Sequence, residues 1–242
     1  MSDDLQANTL VSLLARQLAE QCVVATGVVS PLAILAIAVA RTTHAPNLTY
    51  ISCVGALDPS LPTLHPSSEA LQYLDGRRAE VSIADLFVHA RRNRVDTVFF
   101  GAAEVDGLGQ TNMSAAGSLS HPTVKFPGVA GASSLRRWAK KPVLLIMKHS
   151  KRSLVPAVQV ATTSDPMRRT TLITDLAIFE VGTAGAVLQA RHPWASEALI
   201  AEKTGFSYRT ASSLEVTEVP SEATVRAIRS IDTSNLRQSL VG

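Results

Sequence analysis

Apolar residues in this chain fall in runs too long for surface elements, and the breaks between them predict alternating strands and helices. The longest run, Cys22 to Ala40, is nineteen residues without a charge, close to the length that crosses a bilayer. Gly27, Ser30 and Pro31 divide it. Cys22 to Ala25 then predicts a strand and Thr26 to Val29 a turn. Leu32 to about Arg41 predicts a helix, with Ser30 as N-cap and Pro31 at its first position. A buried strand and a buried helix account for the run without a membrane span. Upstream, Asp3 to Gln21 predicts an amphipathic helix with Leu10, Leu13, Leu14 and Leu18 on one face.

Downstream, Thr49 to Ser52 is β-branched and aromatic. It predicts a strand that ends at Cys53, with Gly55 free to take positive φ in the turn beyond. Pro59 to Pro66 predicts an irregular stretch. Ser68 to Leu74 and Ser82 to Arg92 predict helices, the second opened by Ser82 with Asp85 three residues on. Val95 to Phe100 and Pro142 to Met147 predict apolar strands, and Thr171 to Val181 another around Thr174 and Asp175. Gly182 to Gly185 predicts a hairpin turn into Val187 to Ala190. Ser196 to Lys203 predicts a short helix stopped by Gly205 as a C′ residue, and Ser221 to Ile231 a closing helix. The alternation gives the fold class α/β, a single open, largely parallel sheet flanked by helices. With no repeat, low-complexity tract or linker, residues 1–242 read as one domain.

Composition narrows the classes of function. Hydrophobic residues make up 46% of the 242 and charged residues 18%, an apolar excess that suits a deeply buried sheet or a face covered by a partner. Cys22 and Cys53 are the two cysteines; they make neither a disulfide framework nor a metal spacing, so a reducing cytoplasm is expected. The acidic start, Met1-Ser-Asp-Asp4, argues against a signal peptide. Net charge is +3, aromatics are 5%, and the basic residues fall in scattered pairs such as Arg77-Arg78, Arg136-Arg137 and Lys151-Arg152. A nucleic-acid binder carries a basic stripe interleaved with aromatics, so no nucleic-acid partner is expected. The pairs read as a solvated face or as holders of the phosphates of a soluble ligand.

The chain holds no glycine fingerprint for phosphates, no nucleophile elbow and no zinc spacing, so no metal site is expected. Three stretches that follow apolar strands remain. They are Cys53, the loop Gly101-Ala-Ala-Glu-Val-Asp-Gly-Leu-Gly-Gln-Thr-Asn112, and the loop Phe126-Pro-Gly-Val-Ala-Gly-Ala-Ser-Ser134. Loops at strand ends of a parallel sheet converge on a cleft, and amides of a glycine/alanine loop can donate to a developing oxyanion. From the residues alone, Cys53 fits a core-filling thiol as well as a reacting one. Glu104 likewise fits a structural, salt-bridged carboxylate as well as a proton donor.

Six pieces in order resemble the β subunit of the glutaconate-type coenzyme A transferases (family I) across nearly the whole chain. They are Ala45-Pro-Asn47, the Gly101–Asn112 loop, the Phe126–Ala132 loop, His149-Ser-Lys-Arg152, Thr174-Asp-Leu-Ala-Ile178 and Thr204-Gly-Phe206. In that family the end of the Cys53 strand carries a glutamate that attacks the acyl-CoA thioester; the resemblance puts Cys53 in its place. Glu104 stands where the family has glutamine, Gln110 where it has asparagine, and Ala130 where it has a glycine. With these departures the pattern looks most like the family's offshoot that decarboxylates 3-methylglutaconyl-CoA to 3,3-dimethylacrylyl-CoA, on an alternative route to isovaleryl-CoA. The resemblance thus implies a subunit of an acyl-CoA decarboxylase, a lyase, with Cys53 and Glu104 catalytic. It implies that Gly128, Val129, Ala130, Gly131 and Asn112 bind the substrate and its coenzyme A. It further implies no cofactor beyond the coenzyme A of the substrate, and an α subunit as partner in an α2β2 heterotetramer. Two alternatives stay open: a transferase or hydrolase that uses a Cys53 thiolate, and a non-catalytic subunit that shapes a partner's site.

Overall fold

The computed structural model describes residues 3–27 and 30–241, so the turn expected over Thr26 to Val29 lies partly outside the described residues. The fold is α/β, an open and mostly parallel sheet flanked by helices, as the alternation of apolar runs predicts. The chain forms two compact units, one of Met1–Phe99, Trp138–Lys141 and Val219–Gly242, the other of Phe100–Arg137 and Pro142–Glu218.

The first unit begins with α1 (Asp3–Ala15), β1 (Val23–Thr26), α2 (Pro31–Thr42), β2 (Thr49–Ile51) and β3 (Ala56–Leu57). It continues through β4 (Ala79–Glu80), α3 (Ile83–Arg91) and β5 (Thr97–Gly101). The strand order is β5-β1-β2-β3-β4, with β1 parallel to both β5 and β2, and β3 antiparallel to its neighbours. α2 explains the long uncharged run. Pro31 presets φ for the first turn, and every residue from Pro31 to Ala40 is buried. A helix apolar on all sides belongs in an interior. Among the described residues no helix is long and apolar enough to cross a membrane.

Two expected helices change here. α1 ends at Ala15 rather than Gln21, and it is not amphipathic, since every residue from Ala7 to Ala15 is buried. It packs on α2 and on the C-terminal helices of this unit, which places Asn8, Thr9 and Ser12 in the interior as well. The helix expected over Ser68 to Leu74 shrinks to a 3-10 turn at Leu71–Leu74. Ser67 is the reason: its hydroxyl accepts the Glu69 amide at 3.1 Å and its carbonyl the Ala70 amide at 3.2 Å. These local bonds compete with the helical ladder. α3 opens as expected, with Ser82 and Asp85 forming a capping box.

The second unit holds two small hairpins, β6 (Glu104–Val105) with β7 (Thr111–Asn112), and β8 (Ala115–Gly117) with β9 (Pro122–Lys125). Then come α4 (Ala132–Trp138), β10 (Lys141–Ile146), β11 (Thr170–Thr174), β12 (Ala177–Val181), β13 (Ala186–Arg191), α5 (Glu197–Lys203) and β14 (Tyr208–Val216). Their order is β10-β11-β12-β13-β14, with β10–β11 and β13–β14 parallel and the pairs between antiparallel. The single strand expected over Thr171 to Val181 is therefore two strands. The Thr174 hydroxyl makes the turn by accepting the amides of Leu176 (3.2 Å) and Ala177 (2.9 Å). Gly205 takes the expected C′ place, one residue past the C-cap Thr204, but for a different reason. It has no positive φ; instead a Cβ there would stand 2.2 Å from the Leu154 carbonyl oxygen, which accepts the Gly205 amide at 2.7 Å. Close approach, not helix capping, selects this glycine. α6 (Glu222–Ile231) and α7 (Leu236–Ser239) return to the first unit.

Candidate active site

Cys53 sits at the tip of the β2–β3 hairpin. Thr49-Tyr50-Ile51 form a buried parallel strand against β1, and the chain reverses over Ser52-Cys53-Val54-Gly55. The turn closes with the Gly55 amide donating to the Ser52 carbonyl at 3.1 Å, while the Ser52 hydroxyl accepts the Ala56 amide at 3.1 Å. Gly55 is required twice over: φ is +89°, and a Cβ would lie 3.0 Å from the Val81 carbonyl oxygen. Cys53 thus stands beside the C-terminal end of a parallel pair, where open α/β sheets place ligands.

The thiol is half-buried and donates to the Ser68 carbonyl at 3.3 Å. Burial pushes the Cys53 thiol up from its ordinary value, and the Glu69 charge pushes it the same way. At neutral pH the group is therefore the uncharged thiol. Nearby, the buried Tyr50 hydroxyl pairs with the Thr26 hydroxyl at 2.8 Å, and burial keeps the Tyr50 phenol protonated.

The other expected site residues lie in the second unit and are joined to one another. The Glu104 side chain is buried, and its Oε2 accepts the Asn112 Nδ2–H at 2.9 Å and the Gln159 amide at 3.1 Å. Its Oε1 makes no hydrogen bond among the described residues. Asn112 is fully buried and its polar atoms are all occupied. Nδ2 also donates to the Ala115 carbonyl (2.7 Å), and Oδ1 accepts the amides of Ser114 (3.0 Å) and Ala115 (3.3 Å). Such an asparagine works by holding Glu104 and the chain around it, leaving no free donor for a ligand.

The same turn anchors the small-residue loop. Phe126 donates its amide to the Ser114 carbonyl at 2.9 Å and Gly128 to the Met113 carbonyl at 2.8 Å. Thr162 braces this turn, its hydroxyl accepting the Met113 amide at 3.0 Å and pairing with the Ser114 hydroxyl at 2.8 Å. Gly128 has φ +94° and Ala130 φ +40°, so the alanine occupies left-handed backbone that favours glycine. The amides of Val129, Ala130 and Gly131 have no hydrogen-bond partner among the described residues, which leaves three donors open in a partly exposed loop. Glu104, Asn112 and Gly128 to Gly131 therefore form one connected group, and Cys53 belongs to the other unit. Sequence reading missed Gln159, Thr162 and Ser68. Gln159 and Ser68 contribute main-chain atoms at these contacts, which no side-chain pattern announces. Among the described residues no group of three His, Cys, Asp or Glu could hold a metal ion.

The chain belongs to the coenzyme A transferase family, an enzyme family whose sequence profile matches residues 8–203. Within that family it is similar to a chain of the crystallised decarboxylase AibA/AibB, with 65% identity, a TM-score of 0.96 and 98% of each chain covered. It is 30% identical over 233 residues to the β subunit of the 3-oxoadipate CoA-transferase of Pseudomonas knackmussii, covering 87% of this chain and 86% of that one. The β subunit of the glutaconate CoA-transferase of Acidaminococcus fermentans is 26% identical over 251 residues, covering 93% and 90%. The expected β-subunit resemblance is borne out.

Proposed function

We propose that this chain is the β subunit of an acyl-CoA decarboxylase that converts 3-methylglutaconyl-CoA to 3,3-dimethylacrylyl-CoA and works with an α subunit in an α2β2 assembly. The observation that carries the reading is the protonated, half-buried Cys53 thiol at the end of β2. The 65% identity to a chain of the decarboxylase AibA/AibB supports it.

The chemistry follows from charge. In this substrate the carboxylate is vinylogously β to the thioester carbonyl, so loss of CO2 leaves a dienolate that the thioester stabilises without an organic cofactor. A glutamate at position 53 would stand against the departing carboxylate. Two such charges ~4 Å apart repel by about 4 kcal/mol at an effective dielectric of ~20, roughly a thousandfold in rate. A thiol removes both that repulsion and the nucleophile of a transferase. The open amides at Val129 to Gly131 are the donors suited to an oxygen that gains charge as the dienolate forms. The transferase and hydrolase readings need a thiolate, and burial together with Glu69 works against one.

The complex of this chain with its α subunit, given 3-methylglutaconyl-CoA and no acceptor acid, is expected to release one CO2 for each 3,3-dimethylacrylyl-CoA seen by mass spectrometry. Free coenzyme A as the product, or its transfer to added acetate, would contradict the proposal.

A further inference from the structure

The stretch His65–Tyr73 is mostly exposed, yet two of its side chains, Ser68 and Tyr73, are buried. Both sit at points where the stretch is fastened. The Tyr73 hydroxyl accepts the His65 amide at 2.9 Å, and the two rings meet edge to face with centroids 5.2 Å apart, so the stretch closes on itself. Just before it, the Leu64 amide donates to the Ile231 carbonyl at the end of α6 at 3.0 Å. At mid-span the Ser68 hydroxyl accepts the Ser30 amide ahead of α2 at 3.2 Å, and the Ser68 carbonyl accepts the Cys53 S–H at 3.3 Å.

We propose that His65–Tyr73 is a strap over the Cys53 turn, and that Ser68 and Tyr73 are the positioning residues that keep it closed. Closed, the strap directs the Cys53 proton to the Ser68 carbonyl; open, it frees the thiol to turn toward an acyl chain. Only the placing of Cys53 in the site rests on the decarboxylase reading, and alkylation of the thiol tests the strap without turnover.

The full-length chain, in the complex in which it purifies, is treated with iodoacetamide, and alkylation of Cys53 and Cys22 is followed separately by peptide mass. Cys22 is the internal control, since it is buried in the same unit and takes no part in the bonds that fasten the strap. Tyr73→Phe keeps the ring packing and removes the acceptor for His65. Losing one buried hydrogen bond that holds the closed state is expected to speed Cys53 alkylation by about tenfold, with Cys22 unchanged. Ser68→Ala, which removes the hydroxyl that accepts the Ser30 amide, is expected to act in the same direction. Cys53 rates unchanged in both variants would overturn the strap, as would a matching rise at Cys22, which signals general loosening. Should Tyr73→Phe fail to fold, the Ser68→Ala rates alone decide by the same criteria.

Discussion

A thiol and a carboxylate differ at neutral pH by a full charge, and the local structure around Cys53 preserves that difference rather than erasing it. The same preference for uncharged burial recurs at two histidines of the second unit. His149 bonds the Thr174 and Thr204 hydroxyls, each at 2.9 Å, and His192 bonds the Thr217 hydroxyl and the Thr174 carbonyl, each at 2.9 Å. Burial holds both imidazoles down at about 4, helped at His149 by the Lys203 charge and by repulsion from His192 once that ring is protonated. The unfolded chain, with ordinary imidazoles, binds protons that the folded one refuses between about pH 6.5 and 4. Their contribution is complete above that window and is lost as pH falls through it, by about 2 kcal/mol per imidazole at pH 5. The Asp175 carboxyl, pushed up by burial, works in the opposite sense, but one group offsets only part of two. Urea titrations are expected to show a clear drop in midpoint from pH 7 to pH 5; a flat profile would contradict these assignments. None of this was legible in the sequence, where each histidine stood alone and its threonine partners lay 18 to 55 residues away.

Elements were legible where one rule dominated. The capping box at Ser82 and Asp85, the proline-started α2 and the apolar runs of β5 and β10 all emerged close to their expected places. Other elements depended on distant neighbours. β14 is a nine-residue strand with no buried residue at the end of its strand order, and its polar sequence carries no alternation to reveal it. Gly205 ends α5 in the sequence pattern but is required by Leu154, fifty-one positions earlier, whose carbonyl it touches. Gly205→Ala is therefore expected to force apart the 2.7 Å bond to Leu154 and cost about 2 kcal/mol or more. Differential scanning should show a Tm lower by about 5 °C. An unchanged Tm would return Gly205 to a simple helix-stop role.

At the scale of the whole molecule, the family and the fold could be read from ordered motifs because those motifs are the loops the α/β scaffold holds in place. Ala45-Pro-Asn47 leads into β2, the Gly101–Asn112 loop is the β6–β7 hairpin, and Phe126 to Ala132 leads into α4. What the order could not convey was how the site residues are supported: Asn112 behind Glu104, Thr162 behind the small-residue loop, Ser68 across from Cys53. On the proposed reading, Cys53 puts an uncharged thiol where a carboxylate would carry a full charge, and decarboxylation depends on that difference. The most direct measurement is CO2 release from 3-methylglutaconyl-CoA by the αβ complex carrying Cys53→Ala or Cys53→Glu. The alanine variant is expected to stay within about tenfold of the parent while the glutamate variant falls by roughly a thousandfold. A glutamate variant that decarboxylates as fast as the parent would contradict the role given to the missing charge.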